Sequence, residues 1–281
     1  MKYEDNTMVS VIIPTYNRSH VLKRAVDSVL AQDYSSFEVI VVDDGSTDDT
    51  PSLLAGYGAR IRVLRQANQG VSAARNLGIR ESRGAFVAFL DSDDAWTPDK
   101  LGVQTAFMMA HPDCLICQTE EIWIRNGKRV NPKAKHKKPS GMIFEASLEL
   151  CLVSPSAVMM RNDFFEIKGM FNESFPVCED YDLWLRTAWD TPVYLVEVPC
   201  TAKYGGHEDQ LSAAHSQDKY RIASILNLIQ DGRLTETQRN AAIKVLCKKC
   251  IVYGNGCLKR GRIAEGRHYL EIAARQTGTE C

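Results

Sequence analysis

Phe37-Glu38-Val39-Ile40-Val41-Val42-Asp43-Asp44-Gly45-Ser46 decides the fold of this chain, and Ala85-Phe86-Val87-Ala88-Phe89-Leu90-Asp91-Ser92-Asp93-Asp94 repeats its plan. In each stretch an apolar run without polar alternation ends abruptly in carboxylates. Such a run reads as a strand covered on both faces, as in a parallel sheet. In open sheets of that kind ligands bind in the crevice beyond the carboxyl ends of the strands. Carboxylates gathered at that edge repel one another unless a cation or a donor-rich ligand neutralises them. Hard oxygen ligands suit Mg²⁺ or Mn²⁺, ions that commonly bridge a protein to substrate phosphates. The pattern points to a metal-assisted enzyme acting on a phosphorylated ligand.

Outward from these stretches, strand and helix signals alternate. Val9-Ser10-Val11-Ile12-Ile13 is a strand running into a turn at Pro14-Thr15-Tyr16-Asn17, and Val21, Leu22, Ala25, Val26, Val29 and Leu30 then recur at helical spacing through Gln32. Ser46 or Thr47 is expected to cap a short helix toward Tyr57, with Asp48 and Asp49 in its first turn. A strand near Arg62-Val63-Leu64, a helix from Val71 to Glu81, the strand Phe86–Leu90 and a helix opening at Pro98 follow. This rhythm predicts βαβ units with right-handed crossovers. Past Cys114 it loosens. Ala157–Met160 and Val193–Val198 read as strands and Glu179–Trp189 as a helix. From Ser216 the chain reads as helical, and Tyr253, Gly254, Leu258, Gly261, Ala264, Tyr269 and Ala273 suggest one helical hairpin loosely like a tetratricopeptide unit, read here as a packing appendage.

Composition narrows the class. The chain has 281 residues, 44% hydrophobic and 25% charged, as expected of a soluble globular protein with one large α/β domain and an appendage. A formal net charge of −1 gives no global attraction to nucleic acid or to an anionic membrane. No apolar run approaches the roughly 20 residues that span a bilayer, and Met1–Asn6 does not read as a signal peptide. The nine cysteines are odd in number and scattered, which fits reduced thiols and a cytoplasmic setting. Cys114/Cys117 and Cys247/Cys250 could in principle supply zinc ligands. However, the first pair lies in a strand and the second in a helix, so both are read as buried structural thiols. Asn126–Ser140 carries Lys128, Arg129, Lys133, Lys135, Lys137 and Lys138, and with Arg125 reads as an exposed basic loop or hairpin. It is either solvated surface or a flap that contacts an acceptor or phosphate.

Four blocks match a known family in order and spacing: Val9–Arg18, Val41–Asp48, Asn68-Gln69-Gly70-Val71-Ser72-Ala73-Ala74-Arg75-Asn76 and Phe89–Asp94. Cys178-Glu179-Asp180-Tyr181-Asp182-Leu183-Trp184 and His207-Glu208-Asp209-Gln210-Leu211-Ser212 extend the match. Together they resemble the family 2 glycosyltransferases of GT-A fold, from about Met8 to Ser212. The resemblance implies a Rossmann-like, mixed and mostly parallel sheet flanked by helices, in residues 1–214. A nucleotide-binding half (about 8–113) and an acceptor half (about 114–214) would precede a C-terminal helical region, 215–281. It also implies an inverting, metal-dependent transferase that moves a sugar from a nucleoside-diphosphate sugar, UDP being the favoured carrier. The acceptor hydroxyl would belong to a glycan, a lipid-linked species or a protein. Peripheral attachment to a membrane is compatible with that chemistry.

Roles for single residues follow the matched motifs. Pro14, Thr15 and Tyr16 stand where the first strand ends, and the Tyr16 ring can pack on a nucleobase. Asp44 is placed to accept from a base N–H or ribose hydroxyl, or else to form an Asx turn at Asp-Gly. Arg75 offers a rigid donor fork to the base or diphosphate, or else forms a helix-surface ion pair. Asp91 and Asp93, with Ser92 between them in donor contact, form an Asp-x-Asp unit whose alternate residues face one Mn²⁺ or Mg²⁺; the plainer alternative is an acidic turn. Asp94 points elsewhere and could cap the next turn. His207 would complete the metal shell or touch a phosphate, or is an incidental loop histidine. Asp180 is the expected catalytic base with Glu179 in support, both at the positive end of a helix anchored by Leu183, Trp184 and Ala188. A metal-dependent phosphotransferase or nucleotidyltransferase is the rival enzyme class, although the chain has neither a Walker loop nor a dinucleotide fingerprint. A catalytically silent sugar-nucleotide-binding protein is the rival outside enzymology.

Overall fold

The first strand, β1 (Val9–Thr15), is buried along its whole length and has no polar face, so it can only be interior. The chain then forms α1 (Ser19–Leu30), β2 (Phe37–Asp43), α2 (Thr50–Ala55), β3 (Arg62–Arg65), α3 (Val71–Arg80) and β4 (Phe86–Phe89). Strands β1 to β4 lie parallel in the spatial order β3-β2-β1-β4, the doubly wound arrangement that the alternating rhythm predicts. The computed structural model describes residues 7–206 and 217–277.

The second half adds β5 (Ala95–Trp96), α4 (Lys100–Ala110), β6 (Ile116–Arg125), β7 (Lys128–Val130), α5 (Phe144–Glu149), β8 (Val158–Arg161), α6 (Phe164–Lys168), α7 (Glu179–Ala188) and β9 (Tyr194–Gly205). β8 runs antiparallel between β4 and β6, and β9 runs parallel to β6. The β6–β9 ladder is irregular: Thr119 pairs with Val196, Glu120 with Pro199 and Glu121 with Thr201, after which pairing resumes through Arg125 and Gly205. The strand read as Val193–Val198 therefore runs on to Gly205.

Alternation within the strands builds two cores. Ile12, Ile40, Val42 and Phe89 face one layer with Trp184, while Val11, Ile13, Val39 and Val41 face the other with Leu22 and Leu101. The C-terminal helices α8 (Gln217–Asp231), α9 (Glu236–Lys259) and α10 (Ile263–Thr277) enter the first layer through Ile222, Leu246 and Ala273. Thr235 opens α9 with a capping box shared with Gln238. Gly254 and Gly266 let α9 and α10 approach closely, since a Cβ on either would lie 2.9 Å from the other's carbonyl oxygen.

Three local expectations need correction. The α2 helix starts at Thr50, and neither Ser46 nor Thr47 caps it. The Ser46 hydroxyl instead accepts from Asn17 N–H at 2.9 Å, while the Asp48 carboxylate takes the Thr50 N–H at 3.0 Å. The α4 helix starts at Lys100 rather than Pro98, with Asp99 as its N-cap. The basic segment folds as the β6–β7 hairpin around Asn126-Gly127, but Lys138 leaves solvent: its ammonium donates to Gln118 at 3.0 Å and lies 3.3 Å from buried Glu121. A buried cation needs such a partner. Cys114 and Cys117 pack in one core and Cys247 and Cys250 in the other, where burial pushes the Cys117 and Cys250 thiols up to about 12.

Candidate active site

The carboxyl ends of β1, β2 and β4 open into a cleft of about 450 Å³, closed on the far side by the start of α7, the end of β9 and the first turn of α8. Pro14, Thr15, Tyr16, Asp44, Arg75, Asp91, Ser92, Asp93, Glu179 and Asp180 all line it. His207 lies outside the described residues. The volume falls in the range of small-molecule sites.

Two adjacent acids at the end of β2 divide the labour. Asp43 makes the turn, accepting from Ser46 N–H at 2.9 Å. Asp44 instead accepts from Gln69 N–H at 2.9 Å, Gly70 N–H at 2.8 Å and the Gln66 amide at 2.7 Å, so it ties β2 to the loop that enters α3. Gly45, directly after Asp44, has φ +82°, and a Cβ there would meet Asn68 N at 2.9 Å. Tyr16 keeps 44% of its surface exposed beside them, an open aromatic face at the cleft.

Arg75 organises the centre. Only 3% exposed, it donates to Asp91 at 2.7 Å and to Glu179 at 2.5 Å, joining the end of β4 to the start of α7. Its guanidinium also lies 5.1 Å from the Phe171 ring centroid. Burial disfavours the charge of Asp91, but Arg75 and Lys203 outweigh it and hold the Asp91 pKa below its ordinary value. Glu179 goes the other way: burial, with Asp180 beside it, prevails over Arg75 and pushes it up to about 7. Asp180 is half-buried, accepts from Tyr181 N–H at 2.7 Å and meets the Cys151 thiol at 3.4 Å. Cys178 precedes this pair at φ +63°, a left-handed conformation uncommon for a residue other than glycine. The helix is fixed from below by buried Leu183, Trp184 and Ala188.

Asp94 does not cap a turn. It is buried, accepts from the Ser156 hydroxyl at 2.6 Å and Tyr204 N–H at 3.1 Å, and burial pushes it up to about 7. Asp93 stays half-buried at the cleft, with its backbone carbonyl held by Arg24 at 2.6 Å. Among the described residues no three of His, Cys, Asp and Glu converge into a ready-made metal cage. Asp91 and Asp93 nevertheless fit an ion that takes one or two carboxylates and completes its shell with water and substrate phosphate, because Arg75 occupies just one Asp91 oxygen.

Sequence reasoning missed Lys203, Tyr204, Gln217 and Arg221, all in the cleft wall. Lys203 donates to Ser154 at 3.0 Å. Burial opposes its charge, yet Glu121, Asp94, Asp91 and Asp180 together raise its pKa above the ordinary value. A lysine inside a strand pattern gives no sequence signal beyond its charge.

The family model described as "Glycosyl transferase family 2" matches residues 10–167. An uncharacterized glycosyltransferase of Rickettsia felis is 36% identical over 201 residues, 68% of this chain, and the chain spans about a third of the length of that relative and others like it from Rickettsia. The Escherichia coli protein WfgD, a UDP-Glc:alpha-D-GlcNAc-diphosphoundecaprenol beta-1,3-glucosyltransferase, is 32% identical over 191 residues, 67% of this chain and 73% of that protein. In fold, the chain is similar to S. aureus TarS 1-349 in complex with UDP-GlcNAc, with a TM-score of 0.75 at 20% identity over 96% of this chain and 80% of that one. It is also similar to a Pyrobaculum calidifontis mannosyltransferase in complex with GDP-Man and Mn2+, with a TM-score of 0.62 at 17% identity over 96% and 84%. Matched by the family model over more than half its length and sharing the sheet of these enzymes, the chain belongs to glycosyltransferase family 2 and has the GT-A fold.

Proposed function

We propose that the protein transfers a sugar, with inversion, from a UDP-sugar to a hydroxyl of a lipid-linked acceptor. One observation carries this reading: the Asp91/Asp93 edge and the Glu179/Asp180 helix start face one cleft, on either side of the Arg75 guanidinium. The substrates named for the Escherichia coli relatives support UDP as the carrier and a diphosphoundecaprenol-linked acceptor.

At the nucleotide end, in the half spanning about residues 8–113, Tyr16 offers its face to the base. Pro14, Thr15, Asp44 and Ser92 shape the surroundings of the ribose and diphosphate. Asp91 and Asp93 would hold Mn²⁺ or Mg²⁺, with His207 assigned there by its motif. When bound, the ion supplies Lewis-acid stabilisation of charge on the leaving diphosphate. Arg75 keeps the two acidic walls at fixed separation and neutralises Glu179. Asp180, open to the cleft, takes the proton of the acceptor hydroxyl as its oxygen bonds to the anomeric carbon and the bond to the diphosphate breaks. The anomeric carbon passes through an oxocarbenium-like state, and one displacement from the face opposite the diphosphate inverts its configuration. A lipid-linked acceptor supports peripheral attachment to a membrane; among the described residues no helix is long and apolar enough to cross one.

Incubation with a panel of UDP- and GDP-sugars and a GlcNAc-diphosphate lipid tests the reading. Release of UDP and a product of inverted anomeric configuration are expected, both abolished by EDTA. Release of UMP or pyrophosphate would favour a nucleotidyltransferase, and binding without turnover a silent nucleotide binder. Full turnover in chelator would remove the metal from the mechanism.

A further inference from the structure

The β6–β7 hairpin and the segment that follows it to Lys137 present Arg125, Lys128, Arg129, Lys133, Lys135 and Lys137 to solvent, six exposed cations within a stretch that contains no acid between Glu121 and Glu145. None of the six forms an ion pair with a carboxylate among the described residues, although the structure pairs many of its other surface cations, such as Lys23 with Asp27 and Lys248 with Glu149. The chain as a whole has a formal net charge of −1, so this positive surface is local. Its field is felt within the hairpin: burial and then Lys135, Lys133 and Arg125 hold His136 below its ordinary pKa.

Strand register fixes where this surface lies. Trp123 pairs with Lys203, Ile124 with Tyr204 and Arg125 with Gly205, so the hairpin departs one strand away from residues that line the cleft. Its return is pinned at the same place, because buried Lys138 meets Glu121, whose carboxylate also acts on Lys203. The cationic surface is thus rigidly coupled to the cleft wall.

We propose that the β6–β7 hairpin docks the protein on an anionic bilayer surface, presenting the mouth of the cleft to acceptors carried in that bilayer. Clustered Lys and Arg side chains bind anionic lipid additively and through screened Coulomb forces, without needing a shaped pocket. The choice of occupant rests on the lipid-linked acceptor proposed above; the charge itself does not. An extended polyanion would meet the same charges, but a membrane accounts for their place beside the cleft.

Sedimentation of the full chain with vesicles tests this. Strong binding is expected to equimolar phosphatidylcholine and phosphatidylglycerol, weak binding to phosphatidylcholine alone, and release as salt rises. The variant with Lys128, Arg129, Lys133 and Lys135 all changed to Ser should partition on the order of 10²–10³-fold more weakly, while its hydrolysis of UDP-sugar in the absence of acceptor stays unchanged. These four positions are exposed, in the hairpin and the segment after it, so the melting temperature should also hold. Equal binding to neutral and anionic vesicles, or undiminished binding by the variant, would overturn the proposal. So would tighter binding to a single-stranded oligonucleotide than to the anionic vesicles. Vesicle binding without any sugar transfer would leave the docking surface standing and refute the acceptor reading alone.

Discussion

Replacing Arg75 by Met tests whether one buried guanidinium holds the two acidic walls of the cleft together. Methionine fills much of the same volume but removes the 2.7 Å bond to Asp91 and the 2.5 Å bond to Glu179. Breaking a buried ion pair by removing one partner costs about 3–5 kcal/mol, because the remaining charge has no counter-ion. Glu179 limits the loss by taking up a proton. Burial already pushes it from 4.5 up to about 7 with Arg75 present, and without that cation it must rise further. A carboxyl whose folded pKa lies above its unfolded value keeps a proton that the unfolded chain has released, so stability falls as pH rises between the two values. In the native protein that fall spans about pH 4.5 to 7. In Arg75→Met it continues above 7, by up to about 1.4 kcal/mol per pH unit. The deficit should therefore be smaller near pH 6 and grow by about 1–2 kcal/mol toward pH 8. Urea denaturation at both pH values measures it, with Glu179→Gln and the double variant completing the cycle. The double variant should lose the part of the pH dependence that Glu179 contributes and recover much of the deficit at the higher pH. A deficit under about 1 kcal/mol at pH 8, the scale of a surface pair, or one that does not change with pH, would refute the reasoning.

Asp180→Asn keeps the acceptor oxygen for Tyr181 N–H but removes basicity, so kcat should fall roughly 10²–10⁴-fold with UDP affinity and melting temperature nearly unchanged; a near-normal kcat would exclude Asp180 as the base. Asp44→Ala removes the carboxylate that accepts from Gln66, Gln69 and Gly70, so calorimetry should show melting temperature and UDP affinity falling together, and a loss of affinity alone would contradict a tethering role. Lys100 is wholly buried, lies 4.6 Å over the Trp96 ring, and burial lowers its pKa from 10.5 to about 7. Between those values the unfolded chain holds a proton that the folded chain has released, so stability should rise with pH across that window. Lys100→Met should flatten the rise, as seen in denaturation midpoints.

The strand ends and acidic clusters were legible because two separate physical signals coincided: apolar runs fixed the sheet, and carboxylates marked its ligand edge. Asp43 and Asp44 show the limit of that legibility. Neighbouring acids on a strand point to opposite sides, and nothing in their identity says which will make the turn and which will reach Gln69. Arg75 reads from the sequence as either a surface pair or a ligand contact, because its two carboxylate partners lie 16 and 104 positions away. Lys138 was lost among six exposed cations, since its burial depends on Glu121 across the fold. Lys203 and Arg221 enter the cleft from β9 and α8, elements whose distance from the motifs is set by tertiary packing alone.

The irregular ladder between β6 and β9 has a consequence for how this region can vary. β9 takes five steps from Val196 to Thr201 while β6 takes two from Thr119 to Glu121. The surplus is odd, so every side chain beyond it stands on the opposite face from the one that an unbroken ladder would give. Lys203 reaches the cleft only after that inversion. The stretch acts as a phase shifter, and its length is quantised: gaining or losing two residues there keeps the downstream pattern, whereas a change of one turns the cleft lysine to the wrong side of the sheet.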